Sequence, residues 1–320
     1  MAARVLEKPA KSSPDAYLAR LQALLLLEQR PAIEEALRKP PVAVDLVEIE
    51  IVRARYALLC GDPIGAHGNW SRAQSRAAFD TSRNRFIDIA RSAEACHDTD
   101  AAADAWVAAI RLGWGPLPLY RDLLPVCSAL ASQGRSEDLL SMFQVLRRLE
   151  PANCELQHKV CYFGLIHAIE SPAQVATAMM NLLELHPDPA FHATLMLAEM
   201  LDGRGDDALT RLPKLQDCKD VPPMMLKALE ASARVLAGDS EAGTKLLEGV
   251  DWRGFMPQER SVFRDLLVKQ KIAGLPVVDT IRRKLEANSE PPRARSSAVG
   301  HLANERVSTI LPPLPPPLVR

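Results

Sequence analysis

Long apolar runs are missing from this 320-residue sequence. Segments such as 23–27 and 160–166 are far shorter than the roughly 20 apolar residues that a membrane-spanning helix needs. The start, MAARVLEKPAKSSPDAYLAR, has no apolar core of the kind that a secretory signal carries. We therefore expect no membrane insertion.

Aromatic residues are also scarce, at 5% of the chain, although hydrophobic residues reach 48%. Alanine and leucine supply most of the apolar content, and both are strong helix formers. Few segments show the alternation of β-branched and polar residues that is typical of a strand, and we predict no strand from them. The formal net charge is −1 with the two signs interspersed, so the chain has no strong positive field, and we expect no nucleic-acid partner.

The short motifs of common enzymes are absent. The sequence contains no GxxxxGK[ST] or GxGxxG phosphate loop, no GxSxG elbow and no HExxH pair. We therefore expect a non-catalytic protein without a cofactor. Six scattered cysteines within helical patterns indicate reduced, small buried residues and hence a cytoplasmic location. The usage rich in alanine, arginine and leucine favours a bacterial source.

What the chain does contain is a repeated pattern of helical segments separated by short turns. The turn centres are about 35 residues apart, which is the length of two antiparallel helices and their connections. They are predicted near Glu28, Gly61, His97, Gly134, Ser171, Gly203 and Gly238.

The residues around these turns recur at fixed offsets. Small residues stand seven positions before and five positions after a turn, where they allow two helices to approach closely. A bulky residue follows each turn at +9, on the same helix face as positions +5 and +12, and is expected to fill the space between successive pairs. These bulky residues are Trp70, Trp106, Phe143 and Met180.

This order of residues resembles that of the tetratricopeptide repeat (TPR-like) family, best over residues 47–187. The resemblance is carried by Cys127, Gly134, Leu139, Phe143, Leu146 and Pro151, although the two leucines are larger than the family prefers. It implies an all-α fold, a right-handed superhelical α-solenoid of helix pairs whose first helices line a concave groove. An irregular helical bundle is the alternative.

The ends of the chain differ from its middle. A Pro-, Ser- and Arg-rich composition without a helical stripe predicts a disordered C-terminal tail, either a solvated one or a ligand for an SH3-type domain. The predicted organisation is a disordered N-terminus at 1–14, a TPR-like solenoid at 15–272, a short helix at 273–287 and a disordered tail at 288–320. Within the solenoid we distinguish a capping pair at 15–39, repeats at about 47–250 and a closing helix at 257–272.

One helix carries residues that bind metals in other proteins. Cys154, His158 and Cys161 follow one another at i, i+4 and i+7 and share a face, which zinc could use with a fourth ligand. Ordinary packing explains the same spacing, so we expect no metal and keep a metal-dependent enzyme as the weaker alternative.

By resemblance, a partner would bind in the groove formed by the first helices. The outward residues proposed for this groove are Arg55, Asn84, Arg91, Arg121 and His158. Arginine bonds both oxygens of a carboxylate, so an acidic peptide with apolar anchors would fit. The alternative is that these arginines form salt bridges between helices.

The sequence therefore favours a scaffold that binds a protein or peptide. A regulatory or accessory subunit of an enzyme or secretion system, docked through its tail, is the alternative function.

Overall fold

Helices alternate with short connections throughout the part of the chain that the structure describes. The computed structural model describes residues 13–80, 83–112, 119–215, 218 and 221–269, and these ranges contain α-helices, short 3-10 turns and no strand. The α-helices are α1 Pro14–Leu26, α2 Arg30–Arg38, α3 Leu46–Leu59, α4 Pro63–Asp80, α5 Arg83–Ala95, α6 Thr99–Arg111, α7 Leu124–Ser132, α8 Ser136–Leu149, α9 Cys154–Ile166, α10 Pro172–Leu185, α11 Pro189–Leu201, α12 Gly205–Leu209, α13 Pro223–Leu236, α14 Ser240–Glu248 and α15 Pro257–Lys269.

Each helix pair is joined at one residue in the left-handed conformation. Glycine adopts this conformation without strain, whereas for a residue with a Cβ atom it is higher in energy. Such positions therefore mark tight turns. Among the described residues they are Glu28, Gly61, His97, Gly134, Ala168, Gly203 and Gly238. Six of the seven predicted turn centres coincide with them, and Ser171 is replaced by Ala168.

The hydrogen bonds of these turns are the same in every pair. The amide after the left-handed residue donates to a carbonyl five residues earlier, as in Asp62 to Ala57 at 2.8 Å and Asp98 to Ala93 at 3.0 Å. This closure satisfies a carbonyl that the helix end would otherwise leave unpaired. Where the next residue is aspartate, its side chain also caps the following helix, as Asp62 does for the Gly65 amide at 2.8 Å.

The helices pack on their nearest neighbours along the chain, first on the next helix and then on the next but one. The bulky residues Trp70, Trp106 and Phe143 are buried between them, as predicted. Met180 was expected in the same role but is 45% exposed, and Met179 is buried instead. In the other pairs the second helix begins two residues after the left-handed residue, whereas α10 begins four residues after Ala168. The buried position of this pair therefore lies eleven residues after the left-handed one, at Met179.

Two hydrophobic clusters make up the core. The smaller one joins α1, α2 and one face of α3 around Leu21, Ile33 and Ile49. The larger one runs continuously from Val47 to Leu267, so α3 contributes to both.

The predicted domain bounds compare with the helices as follows. Pairs α1/α2 and α3/α4 to α13/α14 lie in the segments predicted as cap and repeats, and α15 lies in the segment of the closing helix. Residues 1–12, the predicted short helix at 273–287 and the tail at 288–320 lie outside the described residues. Within the described ranges, no helix combines the length and apolarity needed to cross a bilayer.

Candidate binding surface

The first helices of the pairs, α3, α5, α7, α9, α11 and α13, define what we call the first-helix side. On α5 an exposed stripe follows the helical repeat, with Asn84, Asp88 and Arg91 spaced by four and three residues. Because α3 packs against α5, this stripe lies beside the outward residues of α3. These residues form the accessible part of the first-helix side.

Charges of both signs are present there. Arg85 pairs with Asp45 and lies 3.8 Å from Glu48. Burial, together with the neighbouring Asp45 and Asp88 carboxylates, raises the pKa of Glu48, while Arg85 opposes the shift. The start of α3 therefore presents two carboxylates to one arginine of α5.

The three predicted groove arginines have different surroundings. Arg91 is exposed and makes no ion pair with a described residue, and Arg121 lies before α7 with only its neighbour Asp122 at 3.6 Å. Arg55 is half-buried and lies close to Cys96, where burial raises the pKa of the thiol and Arg55 lowers it. Within the described ranges none of the three forms a salt bridge between helices.

The structure places His158 elsewhere than predicted. Its ring is buried, with Nε2 2.7 Å from the Thr194 hydroxyl and the ring centroid 4.8 Å from that of Phe191 on α11. Burial, and to a lesser extent Lys159, lowers the pKa of His158 to about 3, so the imidazole is neutral at pH 7. The prediction that His158 faces outward was wrong, because its face of α9 packs on the next first helix.

No hydrogen bond or ion pair joins any two of the five predicted residues. Arg55, Asn84 and Arg91 lie on neighbouring helices, Arg121 lies at the next pair, and His158 belongs to the core.

The second half of the first-helix side is covered by α15. This helix packs against α13 and also reaches back to α9, which is the first helix of a pair two units earlier. Its first residue, Pro257, approaches the left-handed turn at Gly134, where a Cβ atom would lie 3.1 Å from the proline ring. Between α9 and α13, all residues of α11 from Ala193 to Met200 are buried.

A polar contact anchors α15 on α9. The Tyr162 hydroxyl donates to Glu259 Oε1, and the second oxygen accepts the Met256 amide at 2.7 Å. Burial raises the pKa of the Glu259 carboxyl, and both hydrogen bonds oppose this shift. The carboxylate forms no salt bridge with a described residue, so its charge is costly in this position.

Aromatic residues hold α15 one helical turn beyond Glu259. Phe263 lies 5.6 Å from Trp252 and 5.9 Å from Phe255 between ring centroids, and all three are buried. The interpretation of residues 257–272 as a closing helix on the last pair was therefore incomplete. The helix and its apolar stripe can be predicted from the sequence, but no residue pattern predicts the contact with α9.

The residues considered for metal binding do not converge on a common point. Cys161 interacts with Glu170, whereas His158 bonds to Thr194. Burial raises the pKa of both the Cys127 and Cys161 thiols to about 12, so neither is a thiolate at neutral pH. Over the described residues, no three His, Cys, Asp or Glu side chains are grouped in a way that could hold a metal ion.

Comparison with known proteins gives no relative from which a role could be transferred. No protein-family model matches the chain, and no curated protein matches it.

Proposed function

We propose that this protein is a non-catalytic scaffold that binds a peptide or protein segment on the first-helix side, with helix pairs stacked as a TPR-like, right-handed solenoid. The left-handed turns support the stacking, since they recur at 33 to 37 residues with one hydrogen-bond pattern. A surface built from successive pairs of this kind is extended and suits an elongated ligand. The argument for a cytoplasmic location is that all six cysteines are free thiols, although only Cys127 and Cys161 are buried as expected.

The observation that carries this proposal is the position of α15. The chain lays one of its own amphipathic helices across α9 and α13, so the first-helix side accepts a helix as ligand. The corresponding part over α3, α5 and α7 carries no such helix among the described residues. Binding of an amphipathic helix in an elongated groove is a common mode of peptide recognition.

Arginines on the accessible part indicate the chemistry of the partner. Arg91 has no carboxylate partner among the described residues. Arg55 forms no salt bridge with a described residue, and burial raises the pKa of the Cys96 thiol beside it. A partner with acidic residues beside apolar anchors would supply the missing carboxylates.

A pull-down with a doubly charge-reversed variant tests the proposal. Arg55→Glu with Arg91→Glu is expected to lose partners that the wild type retains. The matched control is Arg38→Glu with Arg253→Glu, which reverses two exposed arginines that already pair with nearby acids. A partner set that is unchanged in the first variant, or reduced equally in both, contradicts the assignment of the surface.

Removal of residues 288–320 separates this proposal from docking through the tail. Binding on the first-helix side predicts that the shortened protein keeps its partners. Loss of all partners on this truncation would favour an accessory subunit that docks by its C-terminal segment.

A further inference from the structure

A cluster of arginines surrounds one buried carboxylate on α3 and α4, away from the residues used above. Glu50 is 1% exposed and accepts hydrogen bonds from Arg53 Nη1 at 3.0 Å and from Arg72 Nε at 3.1 Å. Arg76 Nη2 lies 3.4 Å from the same carboxylate. We call these four residues the Glu50 arginine cluster.

The cluster contains more positive charge than Glu50 requires. One arginine would neutralise the carboxylate, yet three are arranged around it, which leaves two positive charges in excess. No other described carboxylate lies within 4.0 Å of any of the three. Guanidinium groups held this close together repel one another, and a bound anion would relieve that repulsion.

The arginines also keep donors available to solvent. Their side chains remain 36%, 56% and 38% exposed for Arg53, Arg72 and Arg76, although each reaches the buried carboxylate. A guanidinium has five N–H donors, of which Glu50 engages only a part. Asn69, itself buried, accepts a further hydrogen bond from Arg72 and holds its orientation.

A fourth arginine lies on the same side. Arg20 on α1 acts on the Tyr17 hydroxyl together with Arg53, both lowering a pKa that burial raises. Arg20 forms no salt bridge with a described residue. Arginines on α1 as well as on α3 therefore act on the same hydroxyl beside the cluster.

We propose that the Glu50 arginine cluster is a binding site for a phosphoryl group. A dianionic phosphate matches the excess of two positive charges, and its tetrahedral oxygens can accept from several guanidinium groups at once. Glu50 is the positioning residue: it holds the three arginines in place before the anion arrives, which reduces the side-chain entropy lost on binding. The group belongs either to a free phosphate compound or to a phosphorylated protein segment.

Titration of the full-length protein, labelled with ¹⁵N-arginine, tests the site. Inorganic phosphate is added at constant ionic strength, with chloride replacing it in the reference series, and the arginine Nε–Hε signals are followed by NMR. We expect saturable shifts for the signals that disappear in Arg53→Gln, Arg72→Gln and Arg76→Gln. Linear, unsaturable shifts of all arginine signals would overturn the proposal.

Variants separate the site from a general charge effect. Arg72→Gln should weaken phosphate binding about tenfold, the effect expected for losing one charge-assisted contact. Arg38→Gln removes the same charge from an exposed pair with Glu34 and should leave binding unchanged. Equal weakening by both variants would contradict a site. Arg72→Lys, which retains the charge but not the planar fork, should also weaken binding, and wild-type affinity in this variant would contradict recognition by the fork.

A second titration identifies the source of the phosphoryl group. A short phosphoserine peptide with otherwise uncharged residues is compared with its unphosphorylated form and with inorganic phosphate. Tighter binding of the phosphopeptide than of inorganic phosphate supports a phosphorylated segment, and equal affinities support a free phosphate compound. Equal binding of the two peptides would refute phosphoryl recognition.

Discussion

Replacement of Phe263 by alanine tests whether the aromatic cluster holds α15 on the first-helix side. The Phe263 side chain is 1% exposed and contacts the rings of Trp252 and Phe255. Truncating a buried phenylalanine to alanine costs about 3–5 kcal/mol. Part of this is the loss of two aromatic pairs, each worth about 0.5–1.5 kcal/mol.

This cost should fall on the docking of α15 and not on the whole array. An isolated helix of 13 residues is marginal in water, so α15 is expected to unfold once it leaves α9 and α13. The amides of α15 should then exchange with solvent about a hundredfold faster or more, since each 1.4 kcal/mol changes an equilibrium about tenfold. Hydrogen exchange followed by mass spectrometry measures this on peptides that cover residues 257–267.

The matched control is Asp265→Ala, which changes an exposed residue of the same helix. Protection of α15 should be retained in that variant, as should protection of α3 to α6 in both. If Phe263→Ala leaves the protection of α15 intact, or lowers the stability of all helices together, the aromatic cluster does not act as a separate anchor.

The remaining predictions concern the polar anchor, the repeated bulky position and the turn beneath α15. The raised pKa of Glu259 means that its stabilising, protonated state is lost as pH rises above the value of an unfolded glutamate, near 4.5. Between about pH 4 and pH 7 the melting temperature of the wild type should therefore fall relative to that of Glu259→Gln, which cannot ionise. A difference between the two melting temperatures that stays constant with pH would contradict a raised pKa for Glu259. Trp106→Phe should lower the free energy of unfolding, measured with denaturant, by about 1 kcal/mol more than Trp70→Phe does. The reason is that the Trp106 indole donates a hydrogen bond to Glu94, whereas the Trp70 indole has no acceptor among the described residues. Equal losses in the two variants would refute this. Gly134→Ala and Gly61→Ala each place a Cβ atom on a left-handed residue, which costs about 1–2 kcal/mol. Only Gly134 lies against α15, so only Gly134→Ala should speed the hydrogen exchange of the α15 amides. Unchanged exchange of these amides in both variants would show that the contact with Pro257 adjusts to the added Cβ atom.

The turn positions show which features can be predicted from residues close together in the sequence. At Gly61 and Gly238 the left-handed glycine precedes an aspartate that caps the next helix, so two signals stand side by side. At the fourth pair they are separated: Ala168 is left-handed, and Ser171 forms the capping box of α10. Serine is a common residue at the start of a helix, so Ser171 can be recognised from the sequence. Alanine is not typical of positive φ, so the conformation of Ala168 cannot be predicted from it. The prediction therefore placed the turn three residues too late and missed the two extra residues before α10, so it assigned Met180 to the core in place of Met179.

The candidate surface was less predictable for a different reason. Helical periodicity shows which residues share a face, but it does not show which face meets a neighbouring helix and which meets solvent. Arg91 and His158 were both assigned to outward positions, yet one is exposed and the other is buried against α11. The apolar neighbours of His158 on α9 fit either arrangement.

The sequence by itself determines the all-helical class and most turn positions of this protein, because these depend on residues within one or two helical turns of each other. Tertiary structure alone decides where α15 lies. Its contact with α9 joins Tyr162 to Glu259 across 97 positions of the chain, and neither residue carries a local mark of that pairing. The gathering of Arg53, Arg72 and Arg76 around Glu50 depends in the same way on two helices being packed side by side. Both features arise from burial of polar groups between segments distant in sequence, where the need for a partner is created only by the fold.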